Sequence, residues 1–80
     1  MRVLLFGRLG DLAGWRERGI DPPAATLSAL RHRLSDEDAG LGDALAAPGV
    51  QAAVDKVIVR GEAALPPAAE IAFLPPMSGG

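Results

Sequence analysis

The residues with the clearest chemical potential close the chain. Positions 73–80 read FLPPMSGG. Gly79 and Gly80 carry no Cβ, so they fit a channel that any side chain would block. Pro75 and Pro76 have no backbone N–H and a fixed φ, so they end a sheet ladder and favour an extended exit. Residues 75–80, with Met77 and Ser78 between the two pairs, reach about 20 Å beyond a folded body at ~3.3 Å per residue. A carboxylate on Gly80 is a poor electrophile until a partner converts it to an acyl-adenylate. Sulfide, persulfide or an amine can then take the acyl group. Gly-Gly alone is weak evidence, because glycine is common at chain ends. Its conjunction with Pro-Pro and a docking face carries the reading.

Other chemistry has little support. The sequence has no cysteine, which excludes disulfides, thiolate metal sites and cysteine nucleophiles. Any sulfur carried here must sit on the terminus. His32 is the one histidine and has no companion ligand, so no metal site is expected. The glycines of GRLGDLAG (7–14) lack the order of a phosphate loop. Asp36, Glu37 and Asp38 suit a helix N-terminus better than a carboxylate pair in catalysis. Ser28, Ser35 and Ser78 have no His/Asp constellation. A net charge of −2 with mixed signs argues against nucleic-acid binding. No signal region or long apolar run points to a membrane, and the expected location is cytoplasmic.

Eighty residues make one domain. The hydrophobic fraction of 49% is enough for a small core, and only Phe6, Trp15 and Phe73 are aromatic. That core must be aliphatic. Residues 2–7 (RVLLFG) predict a strand, then a helical turn or tight loop, then a strand near 15–20. Thr26 caps a helix with Leu27, Leu30 and Leu34 on one face. Ser35 is expected to cap a second, with Leu41 and Leu45 inward and Pro48-Gly49 as its stop. Residues 50–61 form strands around a bend at Asp55-Lys56, 65–70 a turn, and 70–74 the last strand. This order predicts an α+β domain over 1–74, a mixed sheet with helices on one face, and a flexible tail over 75–80. The first and last strands are expected to pair at the centre.

Strand side chains alternate between faces. With Val3, Leu5, Ile71 and Phe73 inward, Leu4, Phe6 and Leu74 face outward. The charges Lys56 and Arg60 put Ile58 outward and Val57 and Val59 inward. Phe6, Ile58 and Leu74 would then share an uncovered sheet face, a pattern that marks partner sites.

The stretches RVLLFGRLGDLAG, TLSALRHRL, QAAVDKVIV and above all EIAFLPPMSGG resemble the small subunits of molybdopterin synthase. These are MoaD-like sulfur carriers of the MoaD/ThiS group, with the β-grasp (ubiquitin-like) fold. The resemblance implies that the Gly80 carboxylate is adenylated by a partner related to ubiquitin-activating enzymes, an ATP-using adenylyltransferase. Sulfur from a donor protein replaces AMP and gives a thiocarboxylate. The tail (Pro75, Pro76, Met77, Ser78, Gly79) then threads into the synthase large subunit in a heterotetramer. There it donates sulfur to a pyranopterin precursor of the molybdenum cofactor. By the same resemblance, Phe6, Ile58 and Leu74 form the contact surface. This chain is expected to bind no cofactor, and the active site is expected on the large subunit. It departs from the family in LPPAAE (65–70), in Asp55 where Asn is usual, and in Met77 where a smaller residue is usual. Two alternatives remain. One is the sulfur carrier of thiamine thiazole synthesis, typically shorter and without Pro-Pro. The other is a ubiquitin-like modifier joined to proteins through Gly80.

Overall fold

In a computed structural model the described residues are 1–76. The chain runs β1 (Arg2–Leu5), α1 (Arg8–Ala13), β2 (Glu17–Gly19), α2 (Leu27–Glu37), α3 (Ala39–Leu45), β3 (Gln51–Val54), β4 (Val57–Val59) and β5 (Glu70–Leu74). The strands form one mixed sheet in the order β2-β1-β5-β3-β4. β1 and β5 are parallel at its centre, with Val3 opposite Ile71 and Leu5 opposite Phe73. The neighbouring pairs are antiparallel. This is the β-grasp, ubiquitin-like arrangement, with the expected pairing of first and last strands.

Alternation decides which side is dry. Val3, Leu5, Ile71 and Phe73 point under the helices and are at most 2% exposed. Leu27, Leu30 and Leu34 from α2 and Leu41 and Leu45 from α3 close over them. Thr26 caps α2 as expected, its Oγ1 accepting from the Ala29 N–H at 3.2 Å. Trp15 packs at the edge of this core, and the Arg18 guanidinium lies 4.8 Å from its ring centre.

Of the helical turn or tight loop expected after β1, the helical form is found, as the six-residue α1. One expectation needs correction. The cap between α2 and α3 is Asp38 rather than Ser35. The α2 ladder continues through Glu37, and the Asp38 N–H still bonds the Leu34 carbonyl at 2.9 Å. Asp38 then leaves the helical region, and its carboxylate accepts from Leu41 N at 3.1 Å. Asp36 and Glu37 therefore sit at the C-terminal end of α2, the unfavourable end for a carboxylate. A 2.6 Å bond to Arg18 on β2 offsets this for Glu37.

The bend at Asp55-Lys56 is a two-residue hairpin turn with φ of 48° and 71°, the combination that matches sheet twist. Asp tolerates this left-handed conformation better than most side chains. The Asp55 Oδ1 accepts from the Glu70 N–H at 2.9 Å, and the Asp55 N–H donates back to the Glu70 carbonyl at 2.8 Å. The turn is thus tied to the first residue of β5.

Candidate functional site

The helix-free face of the sheet carries a long apolar row and a second, shorter one that ends at Gln51 on β3. Register aligns Leu4, Ala72, Ala53 and Ile58 across β1, β5, β3 and β4. The second row lies one step towards the chain's end. Phe6 follows Leu5, and its N–H donates to the Phe73 carbonyl at 3.1 Å, so it stands beside Leu74. Phe6 is 48% and Ile58 44% exposed, and Leu74 is half-buried. The structure thus gathers Phe6, Ile58 and Leu74 on one face. Leu4, Ala53 and Ala72 complete that face. Outward alternation already placed Leu4 and Ala72 there, but only the β3 register shows that Ala53 fills the gap between Ala72 and Ile58.

Val57 departs from the expectation. Its pairing with Val54 puts it on the helix side of the sheet, yet it is 65% exposed. β4 is an edge strand, and Val57 sits next to the hairpin turn, away from the buried cluster.

Charge rims the face at its far end and along the β2 edge, where Glu17 is in register with Leu4. Arg2 bonds Glu17 at 2.6 Å and approaches Glu70 at 3.9 Å. Such exposed pairs contribute about 0–1 kcal/mol each and mainly set a polar rim. The other end, Phe6 and Leu74, adjoins the Pro75-Pro76 exit. Full burial of a large apolar side chain is worth about 1.5–3 kcal/mol, and Phe6 and Ile58 have about half of that left to gain. Association costs about 4–15 kcal/mol, so a partner needs contacts beyond the face.

Pro75 is half-buried and Pro76 exposed. They border an open cleft of about 570 Å³ between α1 and the end of α3, lined also by Leu9, Leu12, Ala44, Ala47 and Val50. Met77, Ser78, Gly79 and Gly80 lie outside the described residues. Among the described residues no group of three or more His, Cys, Asp or Glu side chains could hold a metal ion. No helix among the described residues is long and apolar enough to cross a membrane. His32 is exposed on α2. Ser28 is engaged structurally: its hydroxyl and N–H both donate to Glu62. Those donors, the hydroxyl foremost, hold the Glu62 carboxyl below its ordinary value.

The sequence model of the ThiS family matches residues 3–80, from β1 through Gly80. The chain belongs to the ThiS family. It is a sulfur-carrier, ubiquitin-like protein at that level of description. SAMP1 from Haloferax volcanii has a similar crystal structure, with a TM-score of 0.70 at 23% identity, covering 99% of this chain and 97% of that one. That likeness bears on the fold. No curated protein matches the chain. For a ThiS-family member the apolar face and the Pro75-Pro76 exit are the features to explain.

Proposed function

We propose that this ThiS-family protein is the small, sulfur-donating subunit of a molybdopterin synthase, working through the Gly80 carboxylate. The observation that carries the reading is the placement of β5. The central strand ends at Leu74 on the uncovered apolar face and continues directly into Pro75-Pro76. A partner docked on Phe6, Ile58 and Leu74 would receive the last residues at a fixed distance from its contact surface.

In this reading an adenylyltransferase binds the face and the tail together. A Gly80 carboxylate oxygen attacks the α-phosphorus of ATP, and pyrophosphate leaves. Sulfide sulfur from a donor attacks the acyl carbon, the bond to AMP breaks, and a thiocarboxylate remains. Met77, Ser78 and Gly79 then lead it into the synthase large subunit, where sulfur passes to the pyranopterin precursor. The chain contributes reach and a docking surface, and its partners supply catalytic groups. The Pro-Pro exit and the second helix, α3 in the 35–48 region, favour this pathway over thiamine thiazole formation.

A ubiquitin-like modifier role has its own support in the likeness to SAMP1. There an amine, in place of sulfide, would attack the same acyl-adenylate and give an amide. One added residue after Gly80 tests the terminal chemistry. It should abolish sulfur transfer and leave thermal unfolding unchanged; normal transfer by the extended chain refutes the proposal. Co-purification with a large synthase subunit supports the synthase role, and covalent adducts on denaturing gels support the modifier role instead.

A further inference from the structure

The two residues after β5 rest on two glycines from different loops. Extending the β1–β5 register by two steps puts Gly7 opposite Pro75, and extending β3–β5 puts Gly49 opposite Pro76. The side-chain packing agrees. A Cβ on Gly7 would come within 3.1 Å of the Pro75 ring, and one on Gly49 within 2.9 Å of Pro76 Cβ. Both glycines have positive φ, 56° and 87°, so their backbones turn a bare surface towards the prolines.

The Gly7 seat is braced. Its carbonyl accepts from the Gly10 N–H at 3.1 Å and from Arg16 Nη1 at 3.2 Å, while Arg16 also pairs with Asp11. On the other side, the Val50 N–H bonds the Ala47 carbonyl at 3.3 Å, closing the turn that contains Gly49. Proline rings are rigid, so two rings held by two loops define a direction as well as a point of departure.

We infer that Gly7 and Gly49 are positioning residues: seats for Pro75 and Pro76 that aim the C-terminal segment relative to the apolar face. This rests on the reading of that segment as the working part. Neither glycine touches the reacting carboxylate; each acts through a proline.

The chain has no cysteine, so Ser78→Cys gives a single site for a nitroxide label. Paramagnetic broadening of body amides then reports where the segment points. Gly61 supplies the control, with φ of 72° and nothing within 4 Å of an added Cβ. Gly61→Ala carries the left-handed strain without the proline contact. Pro76→Ala empties one seat without touching the core, in case Gly49→Ala does not fold. The unsubstituted and Gly61→Ala proteins should broaden amides on one side of the body. Gly49→Ala and Pro76→Ala should lose that one-sidedness. The inference is overturned by even broadening in the unsubstituted protein, by one pattern in all four, or by an equal change in Gly61→Ala. Because the measurement needs neither ATP nor a partner, a chain that is never adenylated would sink the carrier reading and leave this result standing.

Discussion

Phe6→Ala separates docking from folding. Phe6 is 48% exposed, so the fold uses about half of its burial and a covering partner would use the rest. With about 1.5–3 kcal/mol for full burial, each half is worth roughly 1 kcal/mol. The substitution should lower the melting temperature by about 4–8 °C for a domain of this size. It should also weaken a partner that covers the face about fivefold, the factor for roughly 1 kcal/mol. Val57→Ala is the comparison. Val57 is 65% exposed on the helix side of β4, outside both the sheet face and the exit cleft, and its truncation should leave affinity unchanged. Thermal unfolding and titration calorimetry against the adenylating partner read both quantities. An unchanged Kd for Phe6→Ala, or an equal loss of affinity for Val57→Ala, would refute docking through the sheet face.

Gly42→Ala should destabilise the domain by about 1–3 kcal/mol through overpacking, although alanine is the better helix former. A Cβ there would lie 2.8 Å from the Ser35 backbone Cα, and urea unfolding measures the loss. Glu62 predicts an acid limb in stability. Its folded value is lowered by hydrogen bonds from Ser28 and Ala63, so its contribution is complete above the ordinary 4.5 and fades as pH falls through the lowered value. Glu62→Gln should flatten that limb in melts taken across the acid range, and an unaltered pH profile would contradict it.

Much of this fold is written in local pattern. The Leu27, Leu30, Leu34 spacing with Thr26 ahead of it specifies α2, and alternation in EIAFL places Ile71 and Phe73 inward. The same alternation exposes Phe6 and Ile58, because among the described residues no helix covers that side. Other features depend on register, which single-strand patterns do not contain. Ala53 joins the outer face only because β3 pairs with both β5 and β4. Val57 has inward parity but lies at an edge beyond the reach of the helices. Gly7 and Gly49 read locally as turn and breaker residues, since their contacts with Pro75 and Pro76 come from distant parts of the chain. The α2–α3 boundary is ambiguous in local pattern because Ser35 and Asp38 are both good caps, and tertiary contact of Glu37 with Arg18 favours the longer α2.

The central claim is that the Gly80 carboxylate is the reactive group. The intact mass of the protein tests it most directly, after incubation with the adenylating partner, ATP and a sulfur source. Exchange of one terminal oxygen for sulfur should raise the mass by about 16 Da, as expected for activation followed by nucleophilic substitution. The gain should be absent without ATP and should map to the fragment containing Gly80. An unchanged mass under conditions that turn the partner over, or a gain located elsewhere in the chain, would contradict the account.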